Sequence, residues 1–392
     1  MFSSWSRTLL TTLLTSCALA RLVQAKSVPQ QLQKRAQCAA TLTVAEGVAN
    51  VMQSTYWDSF LGEYSGGSLW TDANALEDLH NLMLGADINT WSSVADDSYI
   101  GRLASLELSS GEWEILLDGS NDDAQWVILA LWKIADYKTA RGDNADAYLN
   151  AAASIYDYVT TQWDDTCGGG VWWSTAKTYK NAITNELFLY TSADGYLRGG
   201  GQTYLDNANN VWNWLYNSGM RNSQGLFNDG LVQGTCVNNG ETTWIYNQGV
   251  IASGLAALYA AGGSSNTTLL NQAEITLDAT ISLLTEDDIL KESCDDAAAG
   301  GTTCDSDQQI FKGIWTKHVQ YYLDMANDAT RTAKYSPFLG SQESAVFHYG
   351  TDSADVVGSV WYAPNQGGSI FSPMSTTSGL EAHIAAAKYG PC

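Results

Sequence analysis

Pairs of adjacent aspartates are the residues of this 392-residue sequence that could carry acid–base and nucleophilic chemistry. Two carboxyl groups that flank a sugar can hydrolyse a glycosidic bond, because one protonates the leaving oxygen while the other acts as nucleophile or base. Such pairs occur at 96–97, 122–123, 164–165, 287–288 and 295–296. Acidic pairs more often cap helices or face solvent, so a pair becomes a catalytic candidate only through its surroundings.

Asp122 and Asp123 differ from the other pairs in the segment that follows them. They come after the turn at 119–121 and open DDAQWVILALWKIADY, the most hydrophobic helical stretch of the chain. A helix buried on every side places its first residues at the rim of the core. Adjacent carboxyls there can lie about 5 Å apart, as in a retaining glycosidase, and their repulsion raises the pKa of one of them. We therefore predict a catalytic pair, with helix capping as the alternative interpretation.

Composition argues against several other kinds of site. The formal charge of −23 excludes a nucleic-acid binder, which needs clustered Lys and Arg. The four histidines are scattered singly, so neither a histidine metal site nor a Ser-His triad is indicated. The glycines at 199–201 are not followed by the Lys-Ser/Thr of a phosphate-binding loop. We expect no cofactor and no metal.

Apolar helical stretches, separated by loops rich in Gly, Asn and Asp, must position the pair. Their spacing predicts helices at 41–57, 72–87, 97–109, 122–139, 143–163, 180–195, 202–217, 242–261, 268–284, 308–326 and 376–388, and a short one near 341–348. Strand-period alternation is scarce, so any sheet must be small.

The hydrophobic pattern of these helices predicts how they are layered. Residues 126–132, WVILALW, are apolar without a break. Such helices must form an inner layer that amphipathic helices cover. Six helical hairpins in an (α/α)6 barrel, an all-α toroid, meet this requirement with one domain. The alternative, an α-solenoid, is disfavoured because no fixed-period repeat is visible.

The first 35 residues predict secretion. Residues 1–25 contain a basic residue, an apolar stretch and then small residues, as in a signal peptide that is cleaved after Ala20 or Ala25. Residues 26–35 end in Lys-Arg and are interpreted as a short propeptide, unless that basic pair occurs by chance. We expect residues 36–392 to be one (α/α)6 domain without a stable membrane anchor, because no apolar GPI tail ends the sequence.

Six cysteines follow the predicted signal peptide, at 38, 167, 236, 294, 304 and 392. An even number in an oxidising compartment predicts three disulfides, for which six cysteines allow 15 pairings. Cys294 with Cys304 is the preferred local pair, because AAAGGTT between them can turn. Metal binding is less favoured, since no Cys-x-x-Cys spacing accompanies them. Asn266 begins an Asn-Thr-Thr sequon and is a candidate for N-glycosylation.

Four segments resemble the signature segments of glycoside hydrolase family 76, in the same order. They are NDDAQWVILALWKIADY, KNAITNELFLYTSA, TTWIYNQGVIASGL and IFKGI. The resemblance implies an (α/α)6 barrel and an endo-α-1,6-mannanase that needs no cofactor. In that family the first aspartate of the pair is the nucleophile and the second is the acid/base. Carried over, Asp122 would attack the anomeric carbon, and Asp123 would protonate the leaving oxygen and later activate water. Residues 56–83 are less similar to the family, which leaves the length of the cleft open.

Three polar residues in these segments are further candidates for substrate binding. Asn185 and Glu186 lie on an apolar helix and therefore need polar partners, which are either mannose hydroxyls or each other in the core. Lys312 in IFKGI could meet a sugar hydroxyl, although a structural ion pair is the favoured interpretation.

Tyr246, Asn247 and Gln248 resemble a rim segment that is common in the family. Their side chains suit the recognition of sugar hydroxyls, and hydrogen bonding to loop backbone is the alternative role.

Tryptophans are candidates for stacking on mannose, since the C–H faces of pyranose rings pack on aromatic planes. Trp172 and Trp173 follow a glycine-rich stretch that cannot easily bury both, so they are the preferred platforms. Trp70 and Trp91 lie near predicted helix ends and are further candidates.

The sequence thus predicts a secreted, monomeric, retaining endo-hydrolase of α-1,6-mannosidic linkages. Its partner would be mannan polysaccharide or manno-oligosaccharide, bound without nucleic acid or membrane. Two alternatives stay open at this point. One is a cell-wall mannan transglycosylase that uses the same pair, and the other is a non-catalytic mannan-binding protein that keeps only the aromatic cleft.

Overall fold

Helices account for most of the chain that the computed structural model describes, which is residues 37–295, 304–363 and 369–392. In chain order they are α1 Ala39–Tyr56, α2 Leu69–Ala86, α3 Val94–Asp97, α4 Tyr99–Ala104, α5 Ser110–Leu116, α6 Asn121–Arg141, α7 Asp146–Thr160, α8 Ala182–Leu197, α9 Gln202–Asn217, α10 Ile245–Ala261, α11 Thr267–Leu283, α12 Phe311–Ala326, α13 Ala329–Ala345 and α14 Pro373–Tyr389.

Six of these helices form a closed inner ring. Helix α2 packs against α6, α6 against α8, α8 against α10, α10 against α12, α12 against α14, and α14 returns to α2. The outer helices α1, α7, α9, α11 and α13 each cover one or two inner helices, and the short α4 and α5 pack on α7. The closed ring confirms the predicted (α/α)6 toroid over an open solenoid.

Helix α10 shows why an inner helix is apolar on every side. All its residues from Ile245 to Leu258 are buried except Tyr246. Two glycines let its neighbours come close, since a Cβ at Gly249 would lie 2.8 Å from Trp315 Cα in α12, and one at Gly254 would lie 2.9 Å from Leu189 Cγ in α8. Both distances are too short for a carbon–carbon contact, so these glycines allow the ring to close tightly.

Two predicted helices have different bounds in the structure. The helix predicted at 97–109 is the shorter α4, which starts after Ser98 because that residue is extended and caps the helix by accepting a hydrogen bond from Gly101 N at 3.0 Å. The short helix predicted near 341–348 is the end of α13 and the π-helical turn that follows it, and the prediction missed the earlier turns of α13, which are largely polar and contain Pro337. Polar outer helices give a weak apolar signal, so the pattern does not reveal them.

The described strands form two short antiparallel hairpins. Trp57–Asp58 (β1) pairs with Glu63–Tyr64 (β2), and Thr285–Glu286 (β3) pairs with Ile289–Leu290 (β4). In the same described ranges, no helix is long and apolar enough to cross a membrane. The predicted signal peptide and propeptide lie outside these ranges.

Three disulfides confirm the predicted number and the predicted local pair. They are Cys38–Cys392, Cys167–Cys236 and Cys294–Cys304. The first joins the start of α1 to the end of α14, and the second joins the loop after α7 to the loop after α9. The disulfides therefore fasten α1 to α14, which also pack on each other, and join two loops that follow outer helices.

Removing the Cys38–Cys392 bridge, with Cys38→Ser and Cys392→Ser together, should lower the free energy of unfolding by roughly 2–4 kcal/mol. The bond joins residues that are 354 apart, so it strongly restricts the unfolded chain. Urea unfolding of the double variant and the wild type measures the change. Coincident unfolding curves would show that α1 is held by packing alone.

Candidate active site

A cavity of about 530 Å³ opens where five inner helices begin. It is lined by Ser68, Trp70, Ser120, Asp122, Asp123, Trp126, Trp173, Tyr179, Asn181, Asp229, Tyr246, Asp307 and Phe311. The first turn of a helix has unpaired backbone N–H groups and a partial positive charge, which favours carboxylates. The predicted pair therefore lies in the wall of a cavity whose helix ends favour negative charge.

The start of α6 is fixed by contacts with the loop that precedes α8. Asn121 is fully buried and donates its backbone N–H to Trp173 O at 2.9 Å. Its side-chain amide donates to Trp172 O at 2.7 Å, and its Oδ1 accepts from Tyr158 Oη at 2.6 Å. These bonds hold the residue directly before the pair, so both aspartates have a defined position.

Asp122 accepts a hydrogen bond on each carboxylate oxygen. Ser120 Oγ donates to Oδ1 at 2.8 Å, and Trp173 Nε1 donates to Oδ2 at 3.1 Å. Burial raises the pKa of Asp122, whereas these two donors and the N–H groups of the first turn of α6 lower it. The donors therefore favour the ionised form of Asp122.

Asp123 is in a different electrostatic environment. Burial, and then the negative charge of Asp122, raise the pKa of Asp123 to about 8, and the charge of Asp307 contributes in the same direction. The site therefore favours a protonated Asp123 at neutral pH, whereas at Asp122 the hydrogen-bond donors oppose the rise that burial causes. A general acid and a nucleophile need such a difference between two neighbouring carboxyls.

Aromatic side chains form much of the remaining wall. Tyr246 stacks on Phe311, with ring centroids 3.9 Å apart and an interplanar angle of 12°. Trp70 donates its indole N–H to Asp307 Oδ1 at 3.2 Å. These contacts fix the rings in the wall of the cavity, beside hydrogen-bond acceptors, an arrangement that suits sugar binding.

Asp229 adds a fourth aspartate to the described wall. Tyr179 Oη donates to Asp229 Oδ2 and accepts from Asn239 Nδ2 at 2.8 Å. Burial raises the pKa of Asp229, and the Tyr179 hydroxyl opposes that rise. The lining residues include no Lys, Arg or His, so the described wall suits a neutral ligand rich in hydroxyl groups.

The cavity brings together four of the residues that the sequence singled out for catalysis or binding. These are Asp122, Asp123, Trp173 and Tyr246, and the further candidate Trp70 joins them. Trp91 is not among the lining residues.

Trp172 and Trp173 have different surroundings, although their sequence positions suggest the same role. Trp173 is 44% exposed and lines the cavity, whereas Trp172 is 6% exposed. The Trp172 indole N–H donates to Asp164 Oδ2 at 2.7 Å, and Lys180 Nζ lies 4.7 Å from its ring. Trp172 therefore packs inside the loop that presents Trp173.

Asn185 and Gln248 lie outside the cavity lining and hold its loops. Asn185 accepts from Val171 N at 2.7 Å and donates to Val171 O at 3.0 Å. Gln248 makes the same two-way contact with Phe227, accepting from its N and donating to its O, both at 2.9 Å. Each amide thus fixes one segment that leads to a lining residue.

Glu186 and Asn247 are fully buried and also lie outside the cavity lining. Neither has a side-chain hydrogen-bond partner among the described residues. Burial, and then the charge of Asp229, raise the pKa of Glu186 well above its usual range. The surroundings of Glu186 therefore favour the neutral carboxylic acid.

Comparison with known protein families shows to which family the chain belongs. The sequence profile described as glycosyl hydrolase family 76 matches residues 83–391, which is more than three quarters of the chain. The chain belongs to glycosyl hydrolase family 76.

Curated relatives in family 76 carry the name mannan endo-1,6-alpha-mannosidase. DFG5 of Saccharomyces cerevisiae is 25% identical over 308 residues, which cover 72% of this chain and 63% of the relative. DCW1 of the same yeast is 25% identical over 301 residues, which cover 71% of this chain and 63% of the relative. The matches thus span just under two thirds of these two relatives.

Solved family 76 structures share the toroid. An inactive variant of the α-1,6-mannanase of a Salegentibacter species, in complex with α-1,6-mannotetrose, superposes with a TM-score of 0.74 at 19% identity and covers 88% of this chain and 98% of its own. Dfg5 from Chaetomium thermophilum, in complex with glucosamine, gives a TM-score of 0.75 at 16% identity and covers 90% and 92%. At these identities the likeness establishes the fold.

Several wall residues of this family 76 chain were not singled out from the sequence. Asn181 and Phe311 lie inside two of the signature segments, so those segments could have indicated them. Asp229 and Asp307 come from irregular loops, where no periodicity marks a functional side chain. Only the closure of the ring brings these two acids to the pair.

Lys312 lies away from the cavity in a fully buried ion pair. Its Nζ donates to Asp295 Oδ2 at 2.5 Å and to Ser359 O at 2.6 Å. Lys312→Met should lower the free energy of unfolding by about 3–5 kcal/mol, because Asp295 would remain buried without a partner.

Two measurements on the Lys312→Met variant distinguish a structural ion pair from contact with a sugar hydroxyl. They are its thermal melting and its KM for α-1,6-mannan at a temperature where it is folded. Lys334→Met is the control, since Lys334 is 40% exposed and pairs with Asp278 and Glu274 near the surface, where each pair contributes about 0–1 kcal/mol. A raised KM with unchanged melting would assign Lys312 to substrate binding instead.

Proposed function

We propose that this family 76 protein is a secreted, retaining endo-hydrolase of α-1,6-mannosidic linkages in mannan. The observation that supports it is the pair of adjacent carboxyls in one cavity, where hydrogen-bond donors favour ionised Asp122 while burial and repulsion favour protonated Asp123. The relatives named mannan endo-1,6-alpha-mannosidase support the same linkage.

In the first step, an oxygen of Asp122 attacks the anomeric carbon of the mannose bound in the cavity. Asp123 gives its proton to the glycosidic oxygen, which leaves with the rest of the chain, and a covalent mannosyl-enzyme forms. Asp123, now ionised, takes a proton from water, and that water displaces Asp122 from the anomeric carbon. Two inversions give net retention of configuration.

The roles of the two aspartates have a parallel among the solved relatives. The inactive Salegentibacter mannanase variant differs from its parent by replacement of two consecutive aspartates with alanine, and it holds α-1,6-mannotetrose. Asp122 and Asp123 are likewise consecutive and open an inner helix. This parallel supports hydrolysis by the pair.

Sugar recognition in this proposal rests on the aromatic wall and its acceptors. The Tyr246–Phe311 stack and the exposed ring of Trp173 offer faces for mannose rings. Asp229 and Asp307 offer carboxylate oxygens to hydroxyl groups. Secretion is supported by the N-terminal leader pattern and by the three disulfides, which persist in oxidising compartments.

Digestion of linear α-1,6-mannan, followed by proton NMR of the newly formed reducing ends, tests the proposal. We expect internal cleavage, with the α-anomer appearing first and the β-anomer only after mutarotation. Initial release of the β-anomer would exclude a retaining mechanism. Products that lengthen when acceptor manno-oligosaccharide is added would identify a transglycosylase, and the absence of any product would reject both reactions.

A further inference from the structure

The indole of Trp173 connects a surface loop to one carboxylate oxygen of Asp122. Its Nε1 lies 3.1 Å from Asp122 Oδ2, although the residue is 44% exposed. A stacking platform needs only the face of the ring, so a hydrogen bond from the ring edge to the predicted nucleophile indicates a second role.

The backbone of Trp173 is held on both sides, independently of its indole. Its N–H donates to Tyr179 O at 2.8 Å, and its carbonyl accepts from Asn121 N at 2.9 Å. Asn121 directly precedes Asp122, so the loop and the pair are tied together through main-chain atoms. The position of the Trp173 backbone is therefore set before any substrate binds, and the indole also packs edge-on against the ring of Tyr179.

The rest of the loop is anchored below the surface. Lys180 Nζ is buried and donates to Asp164 Oδ1 and to the carbonyls of Asp164, Thr166 and Gly169, at 2.7–3.1 Å. The Cys167–Cys236 disulfide fastens the same loop to the loop after α9. The loop that carries the exposed Trp173 is therefore held rigidly, as the loop of a preorganised hydrogen-bond donor must be.

Few side chains donate hydrogen bonds to Asp122. Among the described residues, its side-chain donors are Ser120 on Oδ1 and Trp173 on Oδ2. The charged or titratable groups of the surrounding wall are Asp123, Asp229, Asp307, Tyr179 and Tyr246, and no Lys, Arg or His lines it. Trp173 is therefore one of two fixed side-chain donors in a wall whose other charges are all negative.

We propose that Trp173 is a positioning residue for Asp122, whose indole N–H fixes the carboxylate while the exposed face of the same ring lines the cavity. This inference rests on the proposed glycosidase function. Each carboxylate oxygen keeps a second lone pair, so the hydrogen bonds orient Asp122 without preventing its attack on the anomeric carbon. A donor to a carboxylate also favours its ionised form, which is the nucleophilic one.

The Trp173→Phe variant separates the hydrogen bond from the aromatic surface, because Phe keeps a ring and lacks the N–H. We expect kcat on α-1,6-mannan to fall about ten- to a hundredfold, as for loss of a hydrogen bond to a charged group. KM should change by less than about threefold. The acidic limb of the kcat/KM profile should move to higher pH by about one unit, because Asp122 would be harder to ionise.

Trp212→Phe is the matched control, since it removes an indole on outer helix α9 away from the cavity. It should leave kcat and the acidic limb unchanged. Thermal melting of both variants guards against loss of fold. A Trp173→Phe variant that raises only KM, with an unmoved acidic limb, would reduce Trp173 to a stacking platform and overturn the inference.

Carboxyl ¹³C titration of aspartate-labelled protein gives a readout that does not need turnover, with Asp122→Asn identifying the signal of Asp122. The pKa of Asp122 should rise in Trp173→Phe and stay unchanged in Trp212→Phe. If the wild type hydrolyses no mannan, the proposed function fails, yet this titration still decides whether Trp173 acts on Asp122. An unchanged pKa of Asp122 would overturn the inference even in an active enzyme.

Discussion

The Asp122→Asn variant is expected to lose hydrolysis of α-1,6-mannan by roughly 10⁴-fold or more, since an amide cannot form the glycosyl-enzyme ester. The fold should tolerate the change. Asn can still accept one of the hydrogen bonds from Ser120 and Trp173, and burial already disfavours the negative charge at this position. We expect the free energy of unfolding to stay within about 1–2 kcal/mol of the wild type. Reducing-end release and thermal melting measure the two quantities.

Asp165→Asn provides the control, because Asp165 is the exposed second residue of another Asp-Asp pair. It should leave both turnover and melting unchanged. Undiminished turnover in Asp122→Asn would remove the nucleophile from the proposal. A wild type that binds mannan without turnover would identify the non-catalytic binding protein that the sequence left open.

The inner ring could be predicted from the sequence because burial leaves a strong pattern. Helices α6 and α10 are apolar on every side, and only an inner position in a layered fold explains this. The outer helix α13 has no such pattern, since it is largely polar and includes Pro337. The sequence therefore indicated the toroid more clearly than it indicated each helix.

The sequence predicts a site residue where a reactive side chain stands at the start of an inner helix. It does not predict the role of polar residues further along such a helix. Asp122 and Asp123 stand at the start of α6, which is buried without a break from Ala124 to Trp132, and this position distinguishes them from the other acidic pairs. Asn185 and Gln248 are equally conspicuous polar residues on apolar helices, yet both bind backbone behind the wall. A buried amide that holds a loop and one that binds a sugar have the same sequence pattern, so only the contacts distinguish them.

Asp123 is expected to determine how the hydrolysis of mannan depends on alkaline pH. With its pKa raised to about 8, Asp123 is protonated at neutral pH and can act as the general acid. The kcat/KM for mannan should therefore fall as pH rises through about 8, while the acidic limb follows the ionisation of Asp122. Asp123→Asn should reduce turnover of mannan by about 10²–10⁴-fold and abolish the alkaline limb. Initial rates between pH 4 and about 10 measure both effects.

An aryl α-1,6-mannobioside with an acidic phenol tests the role of Asp123, because its leaving group needs no proton. Asp123→Asn should form the glycosyl-enzyme from this substrate at nearly the wild-type rate and accumulate it, since no base activates water. Azide, a nucleophile that needs no base, should restore turnover and give α-1,6-mannobiosyl azide. Asp307→Asn should move the alkaline limb of the mannan profile to lower pH, because the negative charge that helps to keep Asp123 protonated would be gone. An alkaline limb that persists in Asp123→Asn would assign the general acid to another residue.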